Sequence, residues 1–131
     1  MKKSGILNAD LAAVVASMGH FDMITVADAG LPIPDEPLRI DLVVRPNLPR
    51  FIDVTTVVLE ELAVQEAIIA SEMVEVSPQL YDQLRALLGD VAIRKMPHEE
   101  FKTLTASSKA VVRSGEFTPY ANVILVAGVV F

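Results

Sequence analysis

The side chains that could carry acid–base chemistry in this sequence are few. It contains two histidines and no cysteine, so the candidates for proton transfer are His20, His98 and loop-borne carboxylates such as Asp28. Imidazole has an unperturbed pKa of about 6.5, which suits histidine to general acid–base catalysis at neutral pH. Three hydrogen-bonding side chains complete the set: Lys102, Tyr120 and Asn122. The chemistry that this set offers is proton transfer and hydrogen bonding.

Sequence motifs for other chemistries are missing. The six glycines form neither a G-x-G-x-x-G fingerprint nor a phosphate-binding P-loop, so nothing in the sequence indicates a nucleotide. The stretch "HEEF" begins like a zinc protease motif but lacks the second histidine. With two histidines and no cysteine, we expect no structural zinc site. No G-x-S-x-G nucleophile elbow is present.

His20 and Asp28 flank the first predicted strand. His20 follows Gly19, which is predicted to end a helix, and precedes the apolar stretch Met23–Ala27. Asp28 stands at the carboxyl end of that strand, where open α/β sheets place groups that bind ligands. The alternatives are a solvated loop histidine and an aspartate that forms an Asx turn before Ala29-Gly30.

The other four candidates lie in two later segments. His98 begins a predicted helix, and Lys102 lies one turn later on the same face. Tyr120 and Asn122 alternate with Ala121, which predicts that both point to one side of an extended segment. The alternatives are an exposed helix start, a surface lysine and an edge strand with incidental polar residues.

Helix and strand patterns alternate along the chain. Four helices are predicted: from the cap Asn8 to Gly19, from the cap Asp53 to about Val64, from the cap Ser77 to Gly89, and "HEEFKTLTASS" after Pro97. Six strands are predicted: Met23–Ala27, Arg39–Val44, Ala67–Met73, Val91–Lys95, Lys109–Arg113 and Ala121–Val130. This alternation predicts one α/β domain over residues 1–131, with three α/β/α layers and a mixed, largely parallel central sheet.

The amino-acid composition of the chain limits the binding partners that it can have. Of 131 residues, 52% are hydrophobic and 21% charged, which is typical of a globular domain. A net charge of −6 disfavours nucleic acid and anionic membranes. The uncharged tail Phe117–Phe131 is shorter than the roughly 20 residues that cross a bilayer. The absence of cysteine excludes disulfides and thiol nucleophiles and fits a cytoplasmic protein. The high apolar fraction predicts contacts between subunits.

Five blocks of sequence carry a resemblance to a known family. They are "KKSGILNADLA", "GHFD", "ADAGLPIP", "HEEFK" and "GEFTPYAN". In this order the chain resembles the D-ribose pyranase / L-fucose mutarotase family over nearly its whole length, and the pyranase branch in particular. The stretch Glu75–Met96 contributes no motif to the resemblance.

The resemblance implies an activity and a site. It implies an isomerase without a cofactor or metal that interconverts the pyranose and furanose forms of D-ribose in ribose catabolism. The histidine of "GHFD", His20, would be the proton donor. The residues that would bind the sugar are Asp28, His98, Lys102, Tyr120 and Asn122.

The resemblance also implies an assembly. Family members form homo-oligomers of pentameric rings that stack into decamers, with the active site between neighbouring subunits. Three alternatives remain open: a mutarotase acting on L-fucose or another free sugar, a sugar-binding module without catalysis, and an assembly protein whose apolar tail serves only packing. The sequence does not determine which subunit supplies Tyr120 and Asn122 to a given His20.

Overall fold

The computed structural model describes all residues, 1–131, as five helices and six strands. The helices are α1 (Ala9–Ser17), α2 (Phe51–Glu61), α3 (Ser71–Val76), α4 (Pro78–Leu88) and α5 (His98–Thr105). The strands are β1 (Met23–Ala27), β2 (Leu38–Asp41), β3 (Val64–Ala70), β4 (Ala92–Met96), β5 (Ala110–Arg113) and β6 (Val123–Ala127). None of the helices has the length and apolar character needed to cross a membrane.

The six strands form one sheet in the order β2-β5-β1-β6-β3-β4. The pairs β1–β5, β2–β5 and β3–β4 are parallel, whereas β6 pairs antiparallel with both β1 and β3. Five strands therefore run in one direction and β6 in the other. The predicted single-domain α/β class with a mixed, largely parallel sheet is confirmed.

Successive side chains along each strand point to opposite faces of the sheet, and each face carries a hydrophobic core. On one face Ile24 and Val26 of β1 belong to a cluster that includes Phe51 of α2 and residues from α1, α3 and α4. On the other face Ile124 of β6 packs in a smaller cluster with Phe101 of α5. Helices thus cover both faces, which gives the three predicted layers.

Several element boundaries differ from the sequence prediction; β2 and β6, for example, are shorter than predicted. Helix α2 begins at Phe51, so Asp53 lies in its first turn and is not its cap. The strand predicted at Ala67–Met73 runs from Val64 to Ala70, and the next residues form the unpredicted helix α3. Glu72 in the first turn suits the helix dipole, and Met73 is fully buried within this helix.

The direction of the strands gives the sheet two distinct edges. We call the edge where β1–β5 end and β6 begins the carboxyl edge, and the opposite one the amino edge. Asp28, His98 and Asn122 follow or precede strand ends at the carboxyl edge, whereas His20 precedes β1 at the amino edge. The loops of the carboxyl edge are the usual location of binding sites in open α/β sheets.

Candidate active site

The carboxyl edge contains a cavity of about 320 Å³ lined by several of the predicted site residues. Its lining consists of Asp28, Gly30, Leu31, Pro32, His98, Pro119 and Tyr120. The lining comes from the loops after β1 and β4 and from the segment before β6. The structure therefore brings together three predicted residues that are up to 92 positions apart in the sequence, from Asp28 to Tyr120.

Asp28 is held in place by four hydrogen bonds. Its Oδ1 accepts from the backbone N–H groups of Gly30 and Leu31 at 2.9 and 2.8 Å. The Asn122 carboxamide donates to Asp28 Oδ2 at 2.9 Å and accepts from the Asp28 N–H at 2.8 Å. The Asx turn weighed from the sequence is thus present. Because an ionised carboxylate has about four acceptor positions, Oδ2 keeps one for a ligand hydroxyl.

Asn122 contributes to the site indirectly, through its hydrogen bonds with Asp28. The residue is fully buried, and one N–H of its amide is used by the Asp28 carboxylate. Its contribution is therefore to fix the orientation of Asp28.

His98 lies where α5 starts, and its ring is partly buried. Its backbone N–H donates to both oxygens of Glu72, at 3.2 and 3.0 Å, so Glu72 caps α5 from the neighbouring helix α3. The His98 ring meets the Tyr120 ring edge-on, with centroids 5.0 Å apart. His98 Nδ1 is buried and has no hydrogen-bond partner within the chain. Buried polar atoms are normally paired, so this nitrogen is a candidate ligand contact.

Tyr120 does not lie in an extended segment, which corrects the prediction for Tyr120 and Asn122. Its φ is +61°, and its carbonyl accepts from the Asn122 N–H at 2.8 Å, so the chain turns before β6 begins at Val123. The side chains consequently diverge: Tyr120 lines the cavity, whereas Asn122 is buried against Asp28. A bulky residue with positive φ is strained, and such residues concentrate at functional sites.

Lys102 lies one turn of α5 beyond His98, as predicted, but outside the cavity lining. Its ammonium pairs with Glu99 at 2.7 Å. The hydrogen bond from Lys102 lowers the pKa of Glu99 below its usual value. The lysine side chain is about one-third exposed, so water screens this ion pair.

His20 is not near these residues within one chain. It is exposed at the amino edge, where its Nε2 lies 2.9 Å from Gln65 Oε1. Its ring stacks on Phe21 with centroids 3.9 Å apart. Phe21 has φ +69°, a second strained position next to a predicted site residue. The structure therefore separates the predicted proton donor from the predicted binding residues.

Glu116 stabilises the segment before β6, a role that the sequence does not indicate. It is 1% exposed, and its carboxylate accepts from the Phe51 N–H at 3.0 Å, which caps α2. It also binds Arg50 at 3.1 Å and the Thr118 hydroxyl at 2.8 Å. Burial raises the pKa of Glu116, but these hydrogen bonds and the Arg50 charge outweigh it, so the pKa lies below its usual 4.5.

The same loop is fixed at Gly115. A Cβ at this position would lie 2.4 Å from the Leu48 carbonyl oxygen, and the Gly115 N–H donates to Pro49 at 2.8 Å. Only glycine allows this backbone approach. Gly115 and Glu116 therefore set the path of the segment that presents Pro119 and Tyr120 to the cavity. A second cavity of about 340 Å³ adjoins the first, since both are lined by Asp28, Gly30 and Pro119.

The fold is shared with known proteins, which define the class. A family model described as the RbsD / FucU transport protein family matches residues 1–130, and the chain belongs to this family. The family resemblance predicted from the sequence motifs is confirmed.

Individual relatives are similar over their full length. A D-ribose pyranase from Coprothermobacter proteolyticus is 53% identical over 131 residues, which is 100% of both chains. The structure of Bacillus subtilis RbsD complexed with D-ribose has a TM-score of 0.97 and 51% identity, and covers 100% of both chains. FucU from Bifidobacterium longum has a TM-score of 0.83 at 23% identity, covering 95% of this chain and 97% of its own, and shares the fold.

Proposed function

We propose that this protein is an isomerase that interconverts the pyranose and furanose rings of D-ribose. The observation that carries the proposal is the cavity at the carboxyl edge, where His98 has a buried Nδ1 without an internal partner beside Asp28 and Tyr120. Such a lining suits a neutral ligand with many hydroxyl groups. The D-ribose pyranases that are about 50% identical to this chain support D-ribose as the substrate, and so does the structure of RbsD complexed with D-ribose.

The proposed reaction needs only proton transfers. In the pyranose the anomeric hydroxyl loses a proton, the bond between C1 and the ring oxygen breaks, and that oxygen gains a proton. The open aldehyde then recloses when a different hydroxyl attacks C1, which gives the furanose. General acid–base catalysis of this kind contributes roughly 10²–10⁴-fold to the rate.

His20 is the proposed proton donor and acceptor, acting on a sugar held by a neighbouring subunit. Within one chain His20 and the cavity lie at opposite edges of the sheet. A head-to-tail ring would place the amino edge of one subunit on the carboxyl edge of the next. The pentameric rings and stacked decamers implied by the sequence resemblance fit this arrangement and are part of the proposal.

The remaining predicted residues are proposed to bind the sugar. Asp28 Oδ2 and His98 Nδ1 each have an unused position for a hydroxyl. Tyr120 forms one wall of the cavity. Asn122 orients Asp28, and Lys102, one helical turn beyond His98, is the remaining proposed contact. In this arrangement Asn122 and Lys102 are supporting groups, and a single chain supplies both Tyr120 and Asn122.

The physiological setting is also a proposal. We infer that the protein serves ribose catabolism in the cytoplasm, because a kinase that acts on one ring form needs a supply of that form. Spontaneous ring opening would otherwise limit this supply.

The test is a comparison of free sugars. Exchange between ring forms, measured by NMR magnetisation transfer, should accelerate for D-ribose when the protein is added. Faster exchange of L-fucose alone would indicate a mutarotase of different specificity. Thermal stabilisation by ribose without faster exchange would indicate a binding module. Neither effect with any sugar would contradict the proposed function.

A further inference from the structure

The contact between His20 and Gln65 favours one tautomer of the imidazole. Gln65 Oε1 lies 2.9 Å from His20 Nε2. An amide oxygen only accepts hydrogen bonds, so this contact favours the tautomer in which Nε2 carries the proton. In the neutral imidazole the other nitrogen, Nδ1, is then the basic atom.

A β-bulge in β3 orients the Gln65 side chain toward His20. Where β3 pairs with β6, Val64 stands opposite Ala127 and Glu66 stands opposite Val126. Gln65 is therefore an extra residue in β3 with no partner of its own. Bulges of this type redirect a side chain and occur often beside active sites. The pairing irregularity and the hydrogen bond to His20 are two independent observations at the same residue.

Gly128 gives the Gln65 side chain its space. A Cβ at Gly128 would lie 3.2 Å from Gln65 Cβ and 3.6 Å from Gln65 Oε1. The Gly128 N–H donates to the Ala63 carbonyl at 2.8 Å, which holds the two strands together beyond the bulge. The absence of a side chain at Gly128 therefore leaves room for the Gln65 side chain beside the bulge. This matters because a hydrogen bond between two exposed side chains is weak by itself in water.

The Phe21 ring packs against the face of the His20 imidazole. The two rings stack at 3.9 Å with an interplanar angle of 19°. The imidazole is thus restrained on its face by Phe21 and at Nε2 by Gln65, which leaves Nδ1 without a partner from either residue.

We propose that Gln65 is a positioning residue that fixes His20 in the Nε2–H form and makes Nδ1 the atom that exchanges protons with the sugar. The inference rests on the proposed function, in which His20 is the acid. Protonated His20 gives its Nδ1 proton to the ring oxygen while its Nε2–H stays hydrogen-bonded to Gln65, and the anomeric hydroxyl releases its proton to water. When the ring recloses, the attacking hydroxyl returns a proton to Nδ1 and the aldehyde oxygen takes a proton from water, so the proton count balances.

The carboxylates on the elements around His20 and Gln65 pair with cationic side chains. Asp22, before β1, accepts from the Gly19 N–H at 2.9 Å and lies 3.6 Å from Lys109, which precedes β5. Glu66, beside Gln65 in β3, pairs with Arg94 of β4. These carboxylates have cationic partners, and the group in contact with His20 Nε2 is the neutral amide.

Two variants of Gln65 test the inference. Gln65→Met keeps the length of the side chain but removes the acceptor oxygen. It should lower the ribose exchange rate at least about 10-fold, with little change in the ribose concentration that gives half-maximal exchange. Gln65→Glu restores an acceptor and adds a charge, so it should recover part of the activity and shift the pH profile to higher pH, because a carboxylate stabilises imidazolium. Gln83→Met, at an exposed position of α4, is the control and should behave as wild type.

A spectroscopic readout separates this inference from the proposed function. The protein has two histidines, so 15N-histidine labelling in a His98→Gln background reports His20 alone. The ring-nitrogen shifts should show one Nε2–H tautomer, and Gln65→Met should give a mixture. An unchanged tautomer together with wild-type exchange in Gln65→Met would overturn the inference. Retained exchange in His20→Ala would overturn the proposed function, whatever the tautomer of His20.

Discussion

His20 and Asp28 lie beyond opposite ends of β1, the five-residue strand Met23–Ala27. A five-residue strand spans roughly 16 Å, which is much longer than a pentose. One chain therefore cannot place both side chains on the same sugar molecule. If both act on ribose, the site must form between two subunits, and each subunit must contribute its amino edge to one site and its carboxyl edge to another.

Mixing two inactive variants tests the shared site. His20→Ala removes the amino-edge half, and Asp28→Asn damages the carboxyl-edge half. Co-expressed in equal amounts, they should restore about a quarter of the wild-type sites, since each site draws its two halves at random from neighbouring subunits. The measurement is ribose exchange per subunit in the mixed assembly.

The matched control pairs two variants of the same edge. Asp28→Asn and His98→Gln both damage the half of the site that one chain supplies, so their mixture should stay inactive. Failure of the first mixture to regain activity, with mixed assemblies present, would contradict the shared site.

Asn122→Asp is expected to disturb Asp28. The substitution keeps the acceptor for the Asp28 N–H but replaces the donor to Asp28 Oδ2 with a second carboxylate. We expect a loss of about 1–3 kcal/mol in the free energy of unfolding at neutral pH, together with weaker ribose binding. Urea denaturation and a ribose titration measure the two effects. Asn47→Asp, which keeps its acceptor for the Phe117 N–H, is the control. Wild-type values for Asn122→Asp would show that the pair is dispensable.

Glu116 should contribute to acid sensitivity. Its pKa is lower in the folded chain than its usual 4.5, so the ionised carboxylate stabilises the fold above that value. This stabilisation is lost as the pH falls through the folded pKa. Glu116→Gln should therefore flatten the dependence of the free energy of unfolding on pH between about pH 6 and about pH 3. The exposed Glu36→Gln is the control. An equally steep profile in Glu116→Gln would contradict this role.

The last residues should matter more for assembly than for the folding of one chain. Val129, Val130 and Phe131 are 45%, 88% and 101% exposed, so deleting them removes little buried apolar area. Subunit contacts are the expected partner of such apolar side chains, and deletion should weaken assembly and ribose exchange together. Sedimentation velocity and the exchange assay measure both. A truncated chain that retains both would show that this segment is ordinary surface.

Local patterns in the sequence predicted the parts of the fold that local physics determines. β1 lies at Met23–Ala27 as predicted, because a β-branched apolar run between turn residues fits a buried strand. The start of α5 at His98 follows from Pro97, which cannot continue a helix from before. The predicted end of β1 at Ala27 also places Asp28 at the carboxyl edge, where it lies in the structure.

Contacts between distant residues could not be predicted in this way. Glu116 caps α2 from 65 positions away, and Ser77, predicted as a helix cap, donates its hydroxyl to the Pro119 carbonyl at 2.7 Å. The bulge at Gln65 depends on the pairing of β3 with β6, which leaves no local pattern. The alternation of polar and apolar residues around Tyr120 predicts an extended segment, whereas the chain turns there.

The most direct test of the central claim is the effect of His20→Ala on ribose. Magnetisation transfer between the pyranose and furanose signals of D-ribose should be fast with the wild-type protein. It should fall to the uncatalysed rate with His20→Ala, while circular dichroism and ribose binding stay close to wild type. Exchange at the wild-type rate in a folded His20→Ala assembly would contradict the assignment of His20 as the acid–base residue.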